Sequence, residues 1–178
     1  MSLIGSWAAK IAARLDDRHP VFYAADMVAF TLRDLVWHVL VIQRGWDPYQ
    51  GALALPGGHV DPAETAGEAA VREFTEETGL VVPEGTFVDQ VGVFDTPGRD
   101  PRGRYVSIAH GVILHGAPDP VAADDAAAAE WMPVRVAVRV ANAGGFAFDH
   151  GHILARAIHQ LDPVRGFGTR APGERGWR

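Results

Sequence analysis

The 178 residues contain no cysteine, which excludes disulfide frameworks, zinc–thiolate sites, iron–sulfur clusters and cysteine nucleophiles. No run of 18 apolar residues passes without a charge. The first thirty residues also lack an apolar segment followed by a cleavage site, so neither a membrane span nor a secretory leader is expected, and the protein reads as cytoplasmic. Positive charge is scarce as well: 16 basic side chains stand against 22 acidic ones, a net charge of -6. Affinity for a phosphate backbone comes from neutralising many phosphates, so nucleic acid is not an expected partner. What remains is an ordinary globular composition with 48% hydrophobic residues. A chain of this length buries roughly 70% of its unfolded surface on folding, enough for one domain without disulfides or a structural metal.

Leu3, Ile4, Trp7, Ala8, Ile11 and Leu15 follow helical spacing and predict an N-terminal helix within residues 1–20. One domain is expected over 21–162, followed at 163–178 by a Gly-, Pro- and Arg-rich tail expected to be mobile. Strands are predicted at 21–31 and 35–43, with Arg33-Asp34 as the turn between them, and a short strand at 52–55 ends at a Pro56-Gly57-Gly58 turn. A helix is predicted over 63–78, ended by Gly79. Strands at 86–94 and 105–114 flank a loop at 96–104, a last short strand falls at 130–133, and Asp149 serves as N-cap of a final helix over 150–161.

The informative stretch runs from Leu55 to Leu80. At 100° per residue, Glu73, Glu76 and Glu77 share an arc of about 100° on the predicted helix, opposite Gly67, Val71, Phe74 and Thr78. Like charges at these spacings weaken a helix by a few tenths of a kcal/mol per pair, so something must compensate. A solvated acidic face is one reading. The other is a site for a hard divalent cation, Mg²⁺ or Mn²⁺, held by carboxylates with water and substrate phosphates completing its shell. Arg72 can pair with Glu76, and the glycine turn offers a backbone carbonyl, that of Gly57, as a neutral oxygen ligand. The net charge of -6 concentrates here: residues 58–80 hold six acids and one base, a net of -5.

The whole string satisfies Gly-x5-Glu-x7-Arg-Glu-U-x-Glu-Glu-x-Gly-U, with U apolar. Gly58, Glu64, Arg72, Glu73, Phe74, Glu76, Glu77, Gly79 and Leu80 fill its nine specified positions. The sequence therefore resembles the Nudix hydrolase superfamily. That resemblance implies an α/β fold, an α/β/α sandwich around a mixed β-sheet, and hydrolysis of a nucleoside diphosphate linked to a further group X. It makes Glu73 and Glu77 the principal metal ligands with the Gly57 carbonyl, and Glu76 a ligand or base. Glu64, Arg72 and Gly58 then support the site, which would use two or three Mg²⁺ ions, with Mn²⁺ as an alternative.

Arg99, Arg102 and Arg104 lie within six residues, a planar-donor cluster suited to phosphate, or else an exposed loop around a Pro-Gly turn. Arg99-Asp100-Pro101-Arg102-Gly103-Arg104 and Phe146-Ala147-Phe148-Asp149-His150 resemble elements of ADP-ribose pyrophosphatase-like Nudix proteins and of related regulators of NAD metabolism. The likeness then spans 22–161. Arg44 and the Trp46-Asp47-Pro48-Tyr49 loop fit the same group as cleft residues, with a surface ion pair as the alternative for Arg44. Asp125 falls where the family often places a late carboxylate, as base or extra ligand; capping of the alanine run is its alternative. His150 and His152 read as capping or surface residues, and His59 as a phosphate contact. Tyr23, Trp46, Tyr49, Phe94 and Tyr105 are all able to stack on adenine, with core packing as the commoner fate of each.

The expected reaction is cleavage of ADP-ribose, or a close relative, to AMP and a sugar phosphate. A nucleoside triphosphate pyrophosphohydrolase keeps the same mechanism on another substrate. An ADP-ribose sensor is the non-enzymatic reading; regulators of that kind add a winged-helix region, whereas about seventeen residues follow Leu161 here. The complete acid set favours turnover. The family also implies a homodimer.

Overall fold

The computed structural model describes residues 20–122 and 126–161. The helix expected before Pro20, the candidate carboxylate Asp125 and the tail at 163–178 lie outside the described residues. Within them the chain forms β1 (Val21–Arg33), β2 (Val36–Arg44), β3 (Leu53–Ala54), β4 (Gly57–His59), α1 (Ala66–Thr78), β5 (Val88–Phe94), β6 (Arg104–Leu114), β7 (Ala126–Pro133), α2 (Val134–Asn142) and α3 (His150–Leu161). The strands join in one sheet of order β3-β2-β1-β6-β5, with β4 paired to β1 and β7 to β2. β1 and β6 are parallel, from Val21 opposite Arg104 to Thr31 opposite Leu114, and the other pairings are antiparallel. The sheet is mixed, as expected.

β1 is buried without interruption from Ala25 to Thr31. Ala25, Met27 and Ala29 pack on one face with Ala66, Ala69, Ala70 and Phe74 of α1. Val28 and Phe30 pack on the other with Ala137 of α2 and Ile153, Leu154 and Ala157 of α3. A strand covered on both faces carries an apolar run instead of an alternation, which explains the sequence of β1. Burying each of its larger side chains contributes about 1.5–3 kcal/mol. Helices on both faces make the α/β/α sandwich.

Several elements differ from expectation for identifiable reasons. The hairpin turn is Asp34-Leu35, with φ of 47° and 62°; two consecutive left-handed residues match the twist of the flanking strands. The alanines at 126–129, good helix formers, instead extend β7 against β2, where Ile42 faces Ala129 and Val41 faces Glu130. Pairing with an open strand edge overrides intrinsic preference. α2 was not foreseen because Val134, Val136, Val138 and Val140 alternate like a strand. Val134, Ala137, Val140 and Ala141 also recur at helical spacing, however, and these pack into the core. The expected glycine turn is itself a strand, β4, with Gly57 opposite Asp26 and Gly58 opposite Ala25. β4 and β2 share the same edge of β1, β4 at Ala24–Asp26 and β2 at Phe30–Arg33, and residues of all three strands line one recess.

Candidate active site

α1 starts three residues later than expected, at a capping box. The Glu68 N–H donates to Thr65 Oγ1 (3.3 Å) and the Thr65 N–H to Glu68 Oε2 (2.8 Å). Gly79 ends the helix with φ 66°, a conformation that costs glycine little. Between these caps the buried stripe is Ala66, Ala69, Ala70, Phe74, Glu77 and Thr78; Gly67 and Val71 are only half-buried. The carboxylate ridge is therefore graded. Glu77 is buried at its inner edge, Glu73 is half-buried, and Glu76 is exposed.

Arg72 supplies the compensation that the ridge requires. Its Nε and Nη2 donate to both oxygens of Glu64 (3.1 and 2.6 Å), and Nη1 donates to Glu73 Oε1 (2.9 Å) and Glu76 Oε2 (3.0 Å). Nη2 also reaches the His59 carbonyl (3.0 Å), tying α1 to β4. The guanidinium and the Asp61 N–H hold Glu64 below the ordinary carboxylate range. These carboxylates in turn raise the Arg72 pKa, chiefly through Glu64. Burial lifts Glu73 above its ordinary value, against the pull of Arg72.

The two glycines of β4 let the ridge approach the sheet. A Cβ on Gly58 would lie 2.3–2.7 Å from the Glu73 carboxylate, so the absence of a side chain is what lets that carboxylate rest on the backbone. The Gly57 N–H donates to Glu77 Oε2 at 2.9 Å. Met27 N–H donates to the Pro56 carbonyl and Val60 N–H to the Tyr23 carbonyl. By the alternation of an antiparallel ladder, Gly57 therefore turns both its N–H and its C=O away from β1, toward α1.

Glu73, Glu76, Glu77, Asp61, Arg72, Gly57, Gly58 and His59 line one recess of about 410 Å³. Among the described residues no three His, Asp or Glu groups are yet arranged as a ligand set. The donor chemistry nevertheless fits a hard divalent cation: four carboxylates face one guanidinium, and Arg72 takes only Oε1 of Glu73 and Oε2 of Glu76. Glu73, Glu77, Glu76 and the Gly57 carbonyl would hold the ion.

A second recess of about 360 Å³ shares Gly57, Gly58, His59 and Glu77 with the first, so the two form one cleft. Arg44, Arg99 and Arg102 line it; Arg104 lines neither recess and instead donates to the Asp95 carbonyl. Arg44 donates to the Pro48 carbonyl (2.9 Å) and lies 4.9 Å over the Phe148 ring. Arg102 is clamped by both oxygens of Asp100 and stacks over Tyr105 (4.9 Å) and Phe148 (5.6 Å). Arg99 forks onto both oxygens of Asp149 (3.0 and 2.5 Å), so the carboxylate expected to cap α3 serves the arginine loop.

Phe148, with φ 52°, carries the guanidiniums of both Arg44 and Arg102 over its ring. Sequence reasoning missed it, along with Asp26, whose carboxylate is buried at the cleft floor. His150, expected as a surface or capping residue, is 5% exposed and accepts a hydrogen bond from the Leu55 N–H at Nδ1 (2.9 Å). Burial holds it below the ordinary histidine range, as it does His110. The one available signal was an aspartate in the otherwise apolar run of β1. Of the aromatics considered for stacking, Trp46 and Tyr105 line the cleft.

Over 116 residues the chain is 40% identical to the ADP-ribose pyrophosphatase of Methanocaldococcus jannaschii, covering 65% of this chain and 63% of that protein. It is 28% identical over 139 residues to the ADPR responsive transcriptional repressor NtrR of Acinetobacter baylyi, covering 77% of this chain and 53% of the repressor. These matches thus span less than two thirds of either relative. Among solved structures, the NUDIX domain of Shewanella oneidensis NrtR complexed with ADP ribose is similar at TM-score 0.71 and 25% identity, over 84% of this chain and 97% of that one. The NUDIX domain family matches residues 23–157, the span that holds the graded carboxylate ridge, the β4 glycines and the arginine-lined cleft, and the chain belongs to that family.

Proposed function

We propose that the protein hydrolyses the pyrophosphate of ADP-ribose, or of a closely related nucleoside diphosphate sugar, to AMP and a sugar phosphate, with Mg²⁺ as its metal. The observation that carries this reading is the continuity of the two recesses: carboxylates that suit a cation share a cleft with arginines that suit phosphates. The 40% identity to an ADP-ribose pyrophosphatase supports the choice of substrate.

In this mechanism Glu73 and Glu77, with the Gly57 carbonyl, would hold the metal. When bound, the metal would supply positive charge to the phosphate oxygens and make an attacking water more acidic. Glu76, exposed at the outer end of the ridge, would accept the proton of the attacking water or add an oxygen ligand. Arg72 bridges Glu73 and Glu76 and offsets their mutual repulsion, and Glu64 fixes Arg72. Arg44, Arg99 and Arg102 orient the phosphates, each braced by partners that limit its rotation. Arg104 has no direct part, since it lies outside the cleft.

Two or three metal ions, a homodimer, a cytoplasmic location and no use of nucleic acid complete the proposal. No helix among the described residues is long and apolar enough to cross a membrane. Release of AMP should be followed across ADP-ribose, NADH, ADP-glucose, dinucleoside polyphosphates and dNTPs. ADP-ribose is expected to give the highest kcat/KM; cleavage of dNTPs alone would overturn the substrate choice. The likeness to the NtrR repressor supports a second reading, a ligand sensor. Tight ADP-ribose binding without turnover would select it.

A further inference from the structure

The floor of the cleft holds a polar assembly that the mechanism above does not use. Asp26 on β1 is 5% exposed. Its Oδ2 accepts a hydrogen bond from the hydroxyl of Ser107, which is fully buried on β6. Its Oδ1 lies 3.6 Å from His150 Nε2, too far for a good hydrogen bond. Because the Leu55 N–H donates to Nδ1, the His150 ring carries its proton on Nε2, facing Oδ1.

The arginines lining the cleft are committed elsewhere: Arg99 to Asp149, Arg102 to Asp100, and Arg44 to the Pro48 and Trp46 carbonyls. Among the described residues, Asp26 is thus a buried carboxylate whose hydrogen-bond contacts are with neutral groups, with one oxygen poorly satisfied, a state that costs free energy until a donor arrives. Gly57 leaves that oxygen uncovered, since a Cβ there would lie 2.6 Å from Oδ1.

The chemistry of the gap selects its occupant. Oδ1 needs a donor and the His150 Nε2–H needs an acceptor, side by side. A metal ion could meet only the first requirement, whereas an alcohol hydroxyl, like the water it would displace, donates and accepts at once. Asp26 and His150 line the cleft together with Gly57 and Glu77, so a hydroxyl placed here belongs to a group attached close to the scissile pyrophosphate.

We infer that Asp26, His150 and Ser107 form a hydroxyl-recognition subsite for a ribose next to the pyrophosphate, with Asp26 accepting from a sugar hydroxyl and His150 donating to it. The inference rests on the pyrophosphatase reading for the identity of the sugar. Its test uses binding without turnover. The protein in Mg²⁺ is titrated calorimetrically with ribose 5-phosphate and 2-deoxyribose 5-phosphate, and with AMP and its 2′-deoxy and 3′-deoxy forms. The wild type should prefer the fully hydroxylated member of at least one set by about 10- to 100-fold, and Asp26→Asn should reduce that preference to within about twofold. Should Asp26→Asn fail to fold, Ser107→Ala, which leaves the carboxylate but removes its brace, should weaken the same preference at least about threefold. Equal loss of affinity for hydroxylated and deoxy ligands, or a wild type indifferent to every missing hydroxyl, would overturn the subsite. Failure of AMP release from ADP-ribose would bear on the pyrophosphatase reading instead, leaving these binding ratios to judge Asp26.

Discussion

Substituting each of the two glycines of β4 by alanine should separate support of the site from support of the fold. At Gly58 the new Cβ would stand 2.3 Å from Glu73 Oε1 and 2.4 Å from its Cδ. Ordinary contact begins near 3.4 Å, so the carboxylate must retreat by about 1 Å, a displacement that can cost about 100-fold in rate when it misplaces a catalytic group. The obstacle is the far end of a flexible side chain, so Gly58→Ala should lose less than about 1 kcal/mol of stability. At Gly57 the Cβ would stand 2.4 Å from the Ala25 carbonyl oxygen. Backbone in the centre of a sheet cannot step aside, and overpacking of this kind costs about 1–3 kcal/mol. Thermal denaturation, Mg²⁺ titration and kcat/KM on ADP-ribose should be measured for both variants. Gly58→Ala is expected to melt close to wild type with Mg²⁺ affinity and turnover sharply reduced; Gly57→Ala is expected to melt well below it. A Gly58→Ala protein with wild-type metal affinity and turnover would refute the argument that Gly58 seats Glu73.

Three further outcomes follow from the geometry. Arg72→Ala leaves Glu64, Glu73 and Glu76 without their shared cation, so kcat/KM should fall at least about 10-fold and the melting temperature should rise more steeply with added Mg²⁺ than in wild type. Phe148→Ala removes the ring that both Arg44 and Arg102 lie over, and should raise KM for ADP-ribose about 10-fold with little change in kcat. His110 and His150 are both held neutral by burial; since the unfolded chain binds their protons more readily, stability should fall as pH drops below about 6.5. The His110→Gln variant should lose part of that acid sensitivity in thermal melts at pH 7.5, 6.5 and 5.5, and an unchanged slope would remove His110 from the explanation.

The local features of the fold were legible in the sequence because their causes are local. Gly79 ends α1 through a conformation that favours glycine, and the ridge of Glu73, Glu76 and Glu77 follows from helical spacing alone. Arg72 was legible as a partner of Glu76, but its contacts to Glu64, Glu73 and the His59 carbonyl depend on how β4 approaches α1. The burial gradient along the ridge could not be read either, since it is set by the glycines of β4. Asp26, Ser107 and His150 lie far apart in the chain and meet only through the parallel pairing of β1 with β6 and the docking of α3. Arginines in one loop need not share a direction: Arg99 and Arg102 enter the cleft, whereas Arg104, at the start of β6, turns to Asp95.

In the proposed function the carboxylate ridge holds the metal that drives pyrophosphate cleavage. Glu77→Gln tests it most directly, because the amide oxygen can still accept from the Gly57 N–H while the charge is lost. Chromatographic detection of AMP from ADP-ribose, with Mg²⁺ and with a chelator, is the measurement. Stoichiometric AMP is expected from the wild type only with the metal, and a rate at least about 100-fold lower from a Glu77→Gln protein that melts as the wild type does. Wild-type turnover by Glu77→Gln, or AMP release undiminished by the chelator, would contradict it.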